Sequence, residues 1–315
     1  MPACEIVGMQ KSVLAVLAIV LVAGCVGQTT TPTTGGPGLA ITSFTADVTE
    51  QTSTRDIRLF AEFENQGESK VLMSKSLVAL IGPIGDGLLQ WGVVPNNVST
   101  FRRDLNPADV ARDLPAGRDT KQWKVKAPSL DPGQSKTDTF TVRTYYDYEV
   151  KGIGNIVTYS EAEATAVQEQ GDTLETGFFS TTRGPVELSI RSVPDPVIAL
   201  GEETVTLEIT ISNVGGGTVY RAGQEVFTSD MTDVPGLDFS DLNKVNLMVD
   251  TALEETGTTC KTGAEQELIG GKPTTITCDF KVKVPANKQS YPVRVNATYG
   301  YYTEQSIQLT AVGRR

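Results

Sequence analysis

Two distant stretches of the chain share one alternation. Residues 55–67 read RDIRLFAEFENQG, and residues 203–215 read ETVTLEITISNVG. Apolar side chains fall on every second position: Ile57, Leu59, Ala61 and Phe63 in the first, Val205, Leu207, Ile209 and Ile211 in the second. A period of two puts these side chains on one face of an extended backbone. Each stretch therefore predicts a half-buried β-strand, closed by a turn at Asn65-Gln66-Gly67 or Asn213-Val214-Gly215.

Three further pairs follow in the same order. Residues 123–128 (WKVKAP) match 280–285 (FKVKVP), residues 140–148 (FTVRTYYDY) match 291–299 (YPVRVNATY), and Thr165-Ala166-Val167 matches Thr310-Ala311-Val312. The third of these four matches aligns Tyr148 with Tyr299. Four matches in one order predict an internal duplication. Short alternating strands punctuated by Gly, Pro and Asn predict an all-β fold of two tandem Ig-like β-sandwich domains. Their expected bounds are 39–168 and 185–315, with the polar residues 169–184 as a linker or connecting strand. No helix of normal length is expected, although residues 238–249 suit one or two turns.

The start of the chain reads differently. Residues 12–23 (SVLAVLAIVLVA) are continuously apolar and follow Lys11. The run is short of the roughly 20 residues that a membrane-spanning helix needs and fits an export signal over residues 1–24. Met9 is an alternative start. At the end of the run, Leu21-Val22-Ala23-Gly24-Cys25 resembles a lipobox. That resemblance implies cleavage before Cys25 and a lipid on its thiol. Alternatives are a secreted protein with an incidental cysteine, or a pilin-type cut after Gly8, which no basic residue precedes. Residues 25–38, rich in Thr, Pro and Gly, hold little that can bury surface and predict a flexible tether.

The strand Leu207–Ile211 with its Asn213-Val214-Gly215 turn, and its counterpart Leu59 to Gly67, resemble the CARDB-like and other Ig-like modules of archaeal and bacterial surface proteins. The Cys25 segment with its Thr-rich tract looks like archaeal lipoproteins in particular. The resemblance implies stalk, adhesion or S-layer-associated envelope roles, and names no activity.

Composition narrows the chemistry. The 315 residues include 27 Lys and Arg against 38 Asp and Glu, a formal charge of −11. Such a surface repels phosphate backbones, so nucleic acid is not an expected partner. Histidine is absent, which removes imidazole bases, Ser-His-Asp triads and every His-containing metal site. No catalytic, cofactor or metal residues are assigned. Asp230, Asp233, Asp238 and Asp241 lack the spacing of a calcium loop and suit a solvated acidic loop. Glu161 and Glu163 sit two apart on an expected strand, as surface charges. Cys260 and Cys278, flanking a Gly-Gly-Lys-Pro turn, predict a disulfide across neighbouring strands of an exported protein, with a free reactive thiol pair as the alternative.

Asn97-Val98-Ser99 and Asn296-Ala297-Thr298 match the N-glycosylation pattern. Alternation points Asn296 outward with Arg294 and Thr298, and Val293, Val295, Ala297 and Tyr299 inward. Tyr145, Tyr146, Tyr148, Tyr299, Tyr301 and Tyr302 suit strands structurally, with sugar stacking as the other use. Residues 76–94 are nearly all apolar; Leu88, Leu89 and Trp91 form either part of a core or a partner-docking patch.

Together these readings predict a non-enzymatic, lipid-anchored cell-surface protein without a cofactor. It would present two sandwiches to envelope proteins or glycans, with self-association open. The alternatives are a filament subunit built by strand exchange and a substrate-binding lipoprotein feeding a transporter.

Overall fold

The computed structural model describes residues 36, 38–85, 87, 89–94, 96–223, 236–256, 260–261, 263–269 and 272–314. The first half contributes β1 (Leu39–Ala46), β2 (Glu50–Thr52), β3 (Asp56–Asn65), β4 (Ser76–Ile81), β5 (Gly92–Val94), β6 (Val98–Ser99), β7 (Arg118–Lys126) and the long β8 (Ser135–Ser160). A helix, α1 (Glu161–Glu169), and β9 (Phe179–Thr181) lead into the second half. There follow β10 (Val186–Val193), β11 (Val197–Ala199), β12 (Glu203–Asn213), β13 (Thr218–Tyr220) and β14 (Lys244–Thr251). Next come β15 (Glu254–Glu255), β16 (Ala264–Glu267), β17 (Thr274–Val282) and the long β18 (Lys288–Val312).

Two four-stranded sheets have the same order, β1-β3-β7-β5 in one half and β10-β12-β17-β15 in the other. The third sheet is shared. Its order, β16-β14-β18-β8-β4-β6, is symmetric about its two central strands. β8 and β18 pair antiparallel from Ser135 opposite Val312 to Tyr159 opposite Lys288. The short strands are exchanged across this axis: β2 of the first half pairs parallel with the end of β18, and β11 of the second half pairs parallel with the end of β8. Residues 34–315 accordingly form one compact unit.

The alternation seen in the sequence builds the core. Ile57, Leu59, Ala61 and Phe63 on β3 are buried, as are Val205, Leu207, Ile209 and Ile211 on β12. From the shared sheet, Phe140, Val142, Tyr146 and Tyr148 of β8 and Val293, Val295, Ala297, Tyr299 and Tyr301 of β18 enter the same apolar cluster. One face of the shared sheet thus receives both small sheets, in an all-β, sandwich-like arrangement. On the opposite face Leu77, Ala79, Val98, Tyr145 and Tyr220 form a second cluster, and α1 covers Val157 and Tyr159 with Ala164.

Three expectations need correction. Glu161 and Glu163 are not on a strand; they occupy the first turn of α1, where Ser160 Oγ accepts the Glu163 N–H at 3.3 Å. Ser-x-x-Glu is a helix-start signal, and acidic residues in the first turn suit the helix dipole. Thr165-Ala166-Val167 therefore lies in a helix while Thr310-Ala311-Val312 lies in β18, so this fourth match of the repeat does not hold. Thirdly, the register moves one alignment by two residues. Ile57 faces Val125, whereas its counterpart Val205 faces Phe280. Trp123 consequently corresponds to Cys278, opposite Leu59 and Leu207 respectively. A two-residue shift keeps every side chain on its own face, so alternation alone does not detect it. Residues 169–184 hold the end of α1 and the connecting strand β9, while 238–249 hold a 3-10 turn, Phe239–Asp241, and most of β14.

Candidate functional site

The most elaborate side-chain arrangement lies where the two halves meet. Tyr146 and Tyr148 of β8 face Tyr301 and Tyr299 of β18 in the ladder. Their rings close a circuit: Tyr146–Tyr148 at 5.8 Å, Tyr148–Tyr299 at 6.2 Å, Tyr299–Tyr301 at 6.4 Å and Tyr301–Tyr146 at 5.8 Å. Edge-on and tilted rings at these separations are favourable, by about 0.5–1.5 kcal/mol per pair beyond the area they bury.

Each hydroxyl holds a chain segment of one half. Leu39 N–H, at the start of β1, donates to Tyr146 Oη at 3.2 Å, and Val186 N–H, at the start of β10, donates to Tyr299 Oη at 3.2 Å. Ser69 N–H donates to Tyr148 Oη at 3.0 Å, and Gly217 N–H to Tyr301 Oη at 2.6 Å. These bonds give the equivalence directly. Tyr146 corresponds to Tyr299 and Tyr148 to Tyr301, not Tyr148 to Tyr299. The sequence carried this signal in two Tyr-x-Tyr triplets, Tyr146-Asp147-Tyr148 and Tyr299-Gly300-Tyr301. Burial pushes the Tyr146 and Tyr299 phenols well above their ordinary range and Tyr148 and Tyr301 up to about 12. All four remain neutral donors and acceptors at physiological pH.

The Asn-x-Gly turns belong to the same construction. Asn65 is fully buried; its Nδ2 donates to the Ser69 and Leu105 carbonyls, both at 2.8 Å, while Gly67 N–H donates to its Oδ1. Asn213 Nδ2 donates to the Gly217 carbonyl, and its Oδ1 accepts from Tyr301 Oη at 3.0 Å. Glycine is required because the tyrosine oxygen lies on it: a Cβ at Gly67 would sit 1.9 Å from Tyr148 Oη, and one at Gly215 would sit 2.6 Å from Tyr301 Oη. Gly67→Ala should therefore destabilise the protein by about 1–3 kcal/mol, as overpacking does. Urea midpoints in a double-mutant cycle test the cause: Tyr148→Phe, which removes the colliding oxygen, should make Gly67→Ala less costly.

On the other face of this junction, Asp147 accepts from Gly223 N–H at 3.4 Å and lies 3.4 Å from Lys75 Nζ. Burial raises its pKa, against the lowering effect of those two partners. The depression beside it, about 450 Å³, is lined by Lys70, Lys75, Tyr148, Glu149 and Thr298 among others. Further along, Arg143 lies over the Tyr302 ring at 4.7 Å, donates to Tyr145 Oη and pairs with Glu304. Among the described residues, no nucleophile converges here with a base. The arrangement fastens strands together.

The remaining candidate residues are scattered. Cys260 and Cys278 are joined and buried. The bridge does not link neighbouring strands, however. Cys278 is on β17, whose partners are β12 and β15. Cys260 lies in a turn whose carbonyl accepts the N–H of Val249 on β14. The disulfide thus ties a small sheet to the edge of the shared one. Asn296 is half-buried on the outer face of β18, with Val293, Val295, Ala297 and Tyr299 inward as expected. Asn97 is half-buried, its carbonyl accepting from Leu80 N–H.

Leu89 and Trp91 do not share one patch. Trp91 is fully buried, edge-on to Phe140 at 5.3 Å, with Nε1 donating to Asp138 at 2.7 Å. Leu89 is exposed, and Leu88 lies outside the described residues. Asp241 pairs with Arg221 at 2.8 Å, whereas Asp230 and Asp233 lie outside the described residues, as do the export segment, Cys25 and most of the tether.

No sequence model of a known family matches the chain, and no curated protein matches it. Among solved structures, red sea bream transglutaminase is 7% identical over 88% of this chain and 32% of its own, with a TM-score of 0.17. The chain thus spans less than half the length of that enzyme. The Enterococcus faecalis MSCRAMM ACE, described as binding its ligands by the collagen hug model, is 9% identical over 87% of this chain and 95% of its own, TM-score 0.16. The collagen adhesin of S. aureus is 9% identical over 89% and 95%, TM-score 0.12. Likeness at this level carries no argument from those proteins to this one.

Proposed function

We propose that the chain is a non-enzymatic surface protein, anchored by a lipid on Cys25, that holds a stiff two-lobed body outside the cell for envelope or external partners. The observation that carries this reading is the β8–β18 ladder. Its strands of 26 and 25 residues run through both halves, whereas strands in globular proteins usually have about 3–10. Neighbouring strands cannot bend independently without breaking shared hydrogen bonds, so the ladder suits a rigid spacer better than a hinged ligand trap. The buried Cys260–Cys278 bridge supports an exported location, because disulfides persist in oxidising compartments.

Mass spectrometry of the membrane-bound native protein tests the anchor. Residues 1–24 should be missing and Cys25 should carry the mass of a lipid. Cys25→Ser should move most of the protein from the membrane fraction to the soluble one. A soluble native protein with its leader intact would overturn the proposal.

A further inference from the structure

Arginines gather on the connection between β6 and β7. Arg102, Arg103 and Arg118 line a depression of about 380 Å³ with Asp119 and Thr120. Arg103 and Arg112 line a second, of about 540 Å³, whose apolar lining includes Pro107, Leu114 and Pro115. Arg103 belongs to both, so the two depressions adjoin. The connection is fixed in place. Buried Asn65 donates its backbone N–H to the Gly117 carbonyl and its Nδ2 to the Leu105 carbonyl. Between these anchors Asp109 and Leu114 exchange backbone hydrogen bonds at 3.0 and 2.9 Å, and Asp109 Oδ1 accepts the Arg112 N–H at 3.2 Å.

The charges are sorted by depth. The Asp119 side chain, 6% exposed, accepts the Arg102 N–H at 3.0 Å and lies 3.5 Å from Lys121 Nζ. Glu64, 18% exposed, accepts two hydrogen bonds from Arg118. Asp109 lies 3.6 Å from Arg112, and Asp104 is engaged by Lys70 and the Met73 N–H. In front of these carboxylates, the Arg102, Arg112 and Arg118 side chains are 74, 79 and 72% exposed. Arg103 is exposed too, and no carboxylate pairs with it among the described residues. Guanidinium groups therefore stand outermost in both depressions. The fold does not demand them: the connection from β14 to β17, residues 252–273, which corresponds to that from β4 to β7, contains no arginine.

A planar guanidinium holds an oxyanion through two parallel hydrogen bonds. A peptide ligand commonly draws affinity from backbone bonds to an open strand edge. Here the N–H groups of Leu105, Asp109, Leu114 and Gly117 are all taken within the protein. What the surface offers is side-chain charge spaced along a groove with apolar stretches, which suits a polymer of anionic sugars. We propose that this surface binds an acidic polysaccharide, its carboxylate or sulfate groups held by Arg102, Arg103, Arg112 and Arg118 and its rings lying along Pro107 and Leu114. The choice of an extracellular polymer rests on the surface location proposed above.

Calorimetric titration of the purified full chain in detergent with heparin, a carboxylated and sulfated polysaccharide, tests the site. Binding should saturate and should weaken as salt is added. Arg102→Gln with Arg103→Gln should weaken it at least tenfold. Arg112→Gln alone, on a separate turn of the connection, should weaken it about threefold. Arg183→Gln with Arg191→Gln removes the same charge from exposed arginines elsewhere and should have almost no effect. Absence of heparin binding, equal losses in the two double variants, or full affinity in Arg112→Gln would overturn the proposal. So would tighter binding of poly-L-glutamate than of heparin, which would make the partner an acidic polypeptide. Because the purified chain is titrated, a bare Cys25 would overturn the anchoring proposal and leave this result standing.

Discussion

Severed between its halves, this chain should yield two fragments that do not fold alone. Residues 36–183 would lose the partner of β8 along its whole length, and residues 184–315 would lose the partner of β18. Tyr146 and Tyr148 would be stripped of Tyr299 and Tyr301, and the ends of both long strands would lose the short strands exchanged across the axis. Uncovering one such buried side chain costs about 1.5–3 kcal/mol, against a total domain stability of roughly 5–15 kcal/mol. Calorimetry of the intact protein should show one cooperative transition. The separate fragments should give disordered circular dichroism spectra and recover strand signal when mixed. Two independent transitions, or a fragment that folds as a monomer, would refute the role given to the shared sheet.

The largest single-residue effect is expected at Trp123. It is one of the largest buried side chains, 2% exposed, on β7 opposite Leu59. Trp123→Ala removes an indole from the first-half core and leaves a cavity, for a loss of about 3–5 kcal/mol. Its counterpart in the second half is Cys278, so one half fills this position with a ring and the other with a covalent bridge. Because the two halves share a sheet, the loss should lower the denaturation midpoint of the whole protein. A selective melting of the first half, seen by hydrogen exchange with the second half unchanged, would contradict this.

Alternation made β3 and β12 readable in advance, because a period of two is imposed by the backbone and both strands bury one face against a core. Asn65 and Asn213 were equally visible as turn markers. What was hidden depends on partners distant in sequence. Nothing local to Ser135–Ser160 says that the strand continues past the sandwich of its own half, since the strand it pairs with along its length, β18, lies more than a hundred residues away. The tyrosine circuit was hidden for the same reason: its hydroxyl bonds to Leu39 and Val186 span more than a hundred positions each. Trp91 was ambiguous because it lies among Gly and Pro, where no period distinguishes core from surface. In α1, the Ser160 cap outweighed an alternation only a few residues long.

The chain enters its folded body beside the tyrosine circuit, midway along the β8–β18 ladder, while Val312 ends the ladder opposite Ser135. At about 3.3 Å per residue, the stretch from Tyr301 to Val312 places the end of β18 about 36 Å from that entrance. A crossbar held at its middle swings both arms together, and a fluorophore on the last residues would report the sweep of one arm with almost its full leverage.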